Sequence, residues 1–101
     1  MRTPQKPHVA IIGAGPAGLM AADVVSQSDA VAVTVYDAMP SAGRKFLMAG
    51  RGGLNLTHSE AFDAFVQRYG ARADRMAAAL RSCSPTDVRA WCEAHGQPTF
   101  V

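Results

Sequence analysis

At 101 residues, 49% apolar and 18% charged, the chain has room for one hydrophobic core and not for two full domains. Ten basic and eight acidic residues leave a formal charge of +2, too mild and too dispersed for a nucleic-acid stripe or a polybasic membrane anchor. Two cysteines, Cys83 and Cys92, exclude a disulfide framework and a CxxC metal pair, so a reducing, cytoplasmic setting is expected.

Residues 1–7 are polar and proline-bearing, a frayed lead-in. Arg2 and Lys6 ahead of the apolar stretch 9–22 imitate a secretory signal. Gly13, Gly15, Pro16 and Gly18 break that stretch, which also falls short of the ~20 residues of a membrane span. No membrane association is expected. His8–Ile12 is a short apolar run ending at glycine, which predicts a strand buried on both faces. Pro16 suits the first turn of a helix, where its missing N–H is no loss. Leu19, Met20, Ala22, Asp23 and Val24 carry that helix to about Ser26. Val31, Val33 and Val35 then alternate with Ala32, Thr34 and Tyr36 in a second strand closed by Asp37. Strand, helix, strand in this span is a βαβ unit with parallel strands.

Residues 38–57 hold four glycines, Gly43, Gly50, Gly52 and Gly53, and show neither helical nor strand period. Loops of this length inside compact domains are usually functional or disordered. Thr57 with Glu60 predicts a capping box, followed by a helix through Phe62, Phe65, Val66 and Tyr69 that stops at Gly70. Met76, Leu80 and Cys83 mark an alanine-rich helix. Ser84, Pro85 and Asp87 predict a fresh N-terminus, with Val88, Trp91, Cys92 and His95 along one face and Gly96 at the end. Residues 98–101 read as a strand just starting. Two or three parallel strands leave open edges, and a complete dinucleotide-binding half needs more. The chain is therefore expected to be the front piece of a longer protein, whose remainder completes the sheet.

Gly13, Ala14, Gly15, Pro16, Ala17 and Gly18 form a full G-x-G-x-x-G. Such a hexapeptide alone is a weak signal. Here it follows a buried strand, opens a helix, and has Asp37 nineteen residues beyond Gly18 at the end of the next strand. In this context Gly13 allows the tight turn, Gly15 lets a pyrophosphate approach the backbone, and Gly18 lets the helix pack on the sheet. Free N–H groups at the helix start hold the phosphate charge. Asp37 would accept hydrogen bonds from the ribose hydroxyls of the adenosine half.

Beyond Asp37 the residues resemble a family. Gly43-Arg44 extends the fingerprint in the way of two-dinucleotide-binding-domain flavoproteins. The segment Gly43-Arg44-Lys45-Phe46-Leu47-Met48-Ala49-Gly50-Arg51-Gly52-Gly53-Leu54-Asn55-Leu56-Thr57 closely resembles one that marks the BaiN/YhiN-like bacterial NAD(P)/FAD-dependent oxidoreductases. The resemblance covers residues 8–59, and the helical part from 60 to 101 is compatible with it. Many members read Gly-Gly-Gly-Arg-Cys-Asn where this chain has Gly50, Arg51, Gly52, Gly53, Leu54 and Asn55. A cysteine redox role at that position is thereby excluded.

The resemblance implies a Rossmann-like, FAD-binding α/β segment with an appended helical part. It implies FAD as cofactor, NAD(P)H as reductant, and a small-molecule acceptor, with an enone as one candidate. By position it implies cofactor contacts from Gly13, Ala14, Gly15, Pro16, Ala17, Gly18, Asp37, Arg44, Lys45, Gly53, Asn55 and Thr57. Arg44 and Lys45 can also be read as a solvated pair on a loop. Asn55 can both donate to and accept from flavin heteroatoms. An NAD-dependent dehydrogenase or a non-enzymatic dinucleotide sensor would use the same hexapeptide and Asp37, and residues 43–57 argue against the former. His58 is read as a surface histidine, His8 as the start of the first strand, and His95 as lying near a helix C-terminus. Cys83 and Cys92 are expected on apolar helical faces. No catalytic acid or base and no metal ligand can be named.

Overall fold

The computed structural model describes residues 3–48 and 53–101. The chain divides into two units, one reaching to Leu54 and the other running from Asn55 to Val101. The architecture is α/β, a Rossmann-like βαβ unit with parallel strands and an appended helical segment.

In the first unit β1 (His8–Ile12), α1 (Pro16–Ser26) and β2 (Ala32–Tyr36) follow one another. The strands pair in parallel, from His8 opposite Ala32 to Ile12 opposite Tyr36. Parallel neighbours need a crossover rather than a hairpin, and α1 is that crossover. The pleat puts Val9, Ile11, Val33 and Val35 on one face, and all four are half-buried. Ile11 lies beneath the first turn of α1, its Cγ2 3.5 Å from where a Cβ on Gly18 would stand. Half-burying each such side chain contributes about 1 kcal/mol, which holds helix to sheet.

The opposite face departs from expectation. His8, Ala10 and Ile12 are exposed, Ile12 to 82%. A continuous apolar run is what a strand covered on both faces shows, whereas α1 covers only one face of β1. Across the open face His8 Nε2 and Thr34 Oγ1 stand 2.7 Å apart. The segment after β2 was expected to be irregular, but it contains one helical turn, α2 (Arg44–Leu47). Leu47 N–H donates to Gly43 O at 3.1 Å and Met48 N–H to Arg44 O at 3.2 Å. A single turn is too short to leave a period in the sequence. Gly50, Arg51 and Gly52 of the glycine run lie outside the described residues.

The second unit contains α3 (Phe62–Gln67), a 3-10 turn at Gly70–Arg72, α4 (Ala73–Ser82) and α5 (Pro85–Ala94). Val66 and Ala73 are its buried apolar residues, where α3 meets α4. The predicted Thr57–Glu60 capping box does not form. Ala61 occupies the N-cap of α3 with no side-chain bond. The Glu60 carboxylate instead takes the Nε and Nη2 of Arg68, the latter at 3.1 Å. A guanidinium fork outcompetes a single amide for a carboxylate. Helix α3 ends before Gly70, and Tyr69 lies past its last turn, edge-on to Phe65 with ring centroids 6.0 Å apart.

Helix α5 has the expected ends. Ser84 Oγ accepts from Asp87 N–H at 3.2 Å, and Asp87 Oδ2 accepts from Ser84 N–H at 2.8 Å. At the other end Gly96 N–H reaches Glu93 O and Gln97 N–H reaches Cys92 O, both at 3.0 Å, the paired bonds of a Schellman ending. Cys92 is half-buried, but Cys83 is exposed at the C-cap of α4 rather than on an apolar face. Residues 98–101 form no strand, and Phe100 and Val101 are each 89% exposed. A strand exists only through a ladder with a neighbour. Thr99 instead accepts from Arg89 Nε at 3.0 Å and donates to Glu93 Oε1 at 2.9 Å. No helix among the described residues is long and apolar enough to cross a membrane.

Candidate functional site

The chain leaves β1 at Gly13 with φ of +107°, a conformation that side chains other than glycine's rarely permit. Gly13 N–H donates to Tyr36 O at 2.6 Å, which fastens the turn to the end of β2. Asp37, the residue after Tyr36, is thereby carried to the same end of the sheet, where it is exposed. Ala14 is buried, and its carbonyl accepts from Gly43 N–H at 2.8 Å. Gly15 is the N-cap of α1, with extended backbone, and Pro16 is its first residue.

The helix opens with unused donors. Leu19 N–H makes the first bond back, to Gly15 O at 2.9 Å, and no side chain caps the helix. Pro16 has no N–H, so the Ala17 and Gly18 amides are left without an acceptor among the described residues. The two flanking glycines are required for opposite reasons. A Cβ on Gly18 would stand 1.8 Å from Gly13 O, inside the turn itself. A Cβ on Gly15 would meet nothing within 4 Å, so that side of the backbone is open.

Free amides, the positive end of the α1 dipole and an open approach over Gly15 together suit a phosphate group. No acidic residue occupies the first turn of α1 to compete for those donors. Asp37 offers acceptors to a neighbouring hydroxyl pair. The residues present therefore fit the adenosine and pyrophosphate half of a dinucleotide.

The remaining predicted site residues fall into two groups. Arg44 and Lys45 are exposed on α2, which follows the Gly43 tie to the turn, and Arg44 Nη1 is 3.5 Å from Ser41 Oγ. The first unit thus brings residues 13–18, Asp37, Arg44 and Lys45 onto one main-chain framework. Gly53 is exposed at the end of that unit, with φ of +101°. Asn55 and Thr57 are exposed residues of the second unit. Gly43 was not among the predicted contacts, although its amide is bonded directly to the turn. Its signal in the sequence is its place in the Gly43-Arg44 extension of the fingerprint, which points to Arg44 as the contact and says nothing of the Gly43 amide.

The groups with displaced acidity lie in the helical unit. Hydrogen bonding from Arg68, reinforced by its charge against some desolvation, holds the Glu60 carboxyl below the usual carboxylate range. The same bond raises Arg68. The Ser84 N–H and hydroxyl lower Asp87. His58 is exposed, and its Nδ1 accepts from Glu60 N–H at 3.2 Å. A cavity of about 300 Å³ in this unit is lined by Glu60, Phe62, Arg81, Ser84, Pro85 and Thr86. None of these was predicted as a cofactor contact.

Comparison with known proteins agrees with the geometry. A family model described as HI0933-like protein Rossmann domain matches residues 7–101. No curated protein and no solved structure matches the chain. The matched span takes in both units, including β1, the glycine turn and β2. The chain belongs to the HI0933-like protein Rossmann domain family, and this membership supports a general FAD-binding, oxidoreductase role.

Proposed function

We propose that this chain is the N-terminal, FAD-binding part of a BaiN/YhiN-like flavin-dependent oxidoreductase. The observation that carries the reading is the Gly13–Tyr36 bond, which sets Asp37 beside a glycine turn whose helix begins with unused amides. In this reading the Ala17 and Gly18 amides hold the pyrophosphate, Gly15 gives it access, and Asp37 binds the ribose hydroxyls. Arg44, Lys45, Gly53, Asn55 and Thr57 supply the contacts toward the flavin. When bound, FAD supplies hydride transfer from NAD(P)H to a small-molecule acceptor, with an enone as our candidate. The protein's own share is to bind and orient the cofactor.

Residues 8–57 then form the βαβ unit with its flavin loop, and residues 58–101 a helical appendage. Further strands of the same polypeptide would cover the open edges of the two-stranded sheet. Two free thiols in the described residues fit a reducing, cytoplasmic setting.

The full-length protein should purify with flavin absorbance that NADH or NADPH bleaches. Colourless protein that binds NAD instead would overturn the flavin assignment. Gly15→Val places a side chain on the open side, where its Cβ meets nothing within 4 Å. It should abolish FAD and ADP binding while leaving the far-UV spectrum unchanged. Unaltered affinity in a titration would remove the assigned site.

A further inference from the structure

We propose that Gly43 is a positioning residue for the dinucleotide site, acting through the Ala14 carbonyl rather than by touching the ligand. The inference rests on the dinucleotide reading above. Gly43 N–H donates to Ala14 O at 2.8 Å. A trans peptide group is planar, with its carbonyl and N–H pointing in opposite directions. Ala14 O and Gly15 N–H belong to one such group. Holding the oxygen toward Gly43 therefore sends the Gly15 N–H the other way, where it meets no acceptor among the described residues. That amide joins those of Ala17 and Gly18 as a donor for phosphate.

The tie depends on the backbone of Gly43. Its φ of +65° is in the left-handed region. A β-branched residue there favours extended backbone, which would swing the amide off Ala14. Space is not the obstacle, because a Cβ on Gly43 would meet Leu19 Cδ1 at 3.7 Å and Phe46 Cδ2 at 3.9 Å, ordinary contact distances. Asparagine tolerates the left-handed region, so it separates conformation from bulk.

The test is titration of the 101-residue chain with ADP, followed through the amide resonances of Gly15, Ala17 and Gly18. Gly43→Val should weaken ADP roughly five- to thirtyfold, the fraction of chains holding the competent turn having fallen by that factor. Gly43→Asn should stay within about threefold of wild type. Far-UV spectra of both should match wild type. Should Gly43→Val lose its helical signal, Gly43→Ala serves in its place, with the same backbone penalty and no branch. Two results overturn the proposal while leaving the dinucleotide site standing. One is wild-type affinity in the valine and alanine variants, and the other is equal weakening by asparagine and valine. A wild-type chain whose three amides do not respond to ADP overturns the dinucleotide reading, and the proposal with it.

Discussion

The βαβ unit and the helical unit are organised by different parts of the polypeptide. In the first, most long-range ties are main chain to main chain, Gly13 to Tyr36, Gly43 to Ala14, and Ala32 N–H to Pro7 O at 2.9 Å, with the His8–Thr34 side-chain pair beside them on the open face of the sheet. In the second, side chains make the connections. Glu60 grips Arg68, Ser84 and Asp87 cap α5, and Thr99 joins Arg89 to Glu93. The difference explains where a dinucleotide site can arise. A surface built of backbone amides presents donors at fixed positions and costs no side-chain entropy to order. Exposed ion pairs and hydroxyl bonds hold helices together but are screened and replaceable by water. The first unit should therefore be sensitive to the addition of a single methyl group, and the second to the loss of polar atoms.

The sharpest way to test this contrast is Gly18→Ala. The new Cβ would have to displace Gly13 O and its carbon, and these are backbone atoms of the turn itself. Overpacking of this kind costs about 3 kcal/mol, because no rotamer change relieves it. Hydrogen exchange at the β1 and β2 amides should accelerate, and ADP binding should be lost. Trp91, the single tryptophan, reports on the helical unit. Its fluorescence transition in urea should stay in place. A transition shifted along with the strands would show one cooperative structure and break the comparison.

How far the sequence foretold these units follows the same division. His8–Ile12, Pro16–Ser26 and the strand ending at Tyr36 are legible to within a residue, because Gly13 and Pro16 punctuate the first two and valine alternates along the second strand up to Asp37. The turn and Asp37 were legible because their spacing reflects a βαβ unit. The role of Gly43 was hidden, since a glycine inside a long loop does not reveal which carbonyl its amide will meet. In the helical unit Ser84-Pro85 read correctly and Thr57–Glu60 did not. The two capping patterns look alike in sequence. What separated them was a competitor eight residues away, Arg68, which a local pattern cannot contain. The open face of β1 was misread because an apolar run reports a tendency to be covered, not whether a cover is at hand.

A smaller effect is expected from Ser84→Ala. It removes the hydroxyl that accepts the Asp87 N–H and leaves one amide at the start of α5 unpaired. Loss of such a cap destabilises by about 1 kcal/mol. The Trp91 transition should move to lower urea, while strand amide exchange and ADP affinity remain at wild-type levels. Ser84→Asn, which can also cap, should recover most of the loss. Equal destabilisation by alanine and asparagine would mean that the contact surface of Ser84, not its hydrogen bond, matters here.

The smallest effect belongs to the exposed pair, and its value lies in its pH dependence. Arg68 holds the Glu60 carboxyl below the usual carboxylate range, so the folded chain binds this proton less readily than the unfolded one. The contribution is therefore complete at neutral pH, declines as the pH falls through the carboxylate range, and disappears below the lowered folded value. Glu60→Gln should lower the melting temperature of the helical unit slightly at neutral pH and leave no difference from wild type once the pH is well below the lowered Glu60 value. Salt at about 1 M should shrink the neutral-pH difference in the same way, because the pair is open to solvent. Monitored by Trp91 fluorescence, a difference that survives both acid and salt would trace the stabilisation to neutral hydrogen bonding by the Glu60 side chain. In that case charge would have no part in holding α3, and the second unit would owe its side-chain ties to shape and hydrogen bonds alone.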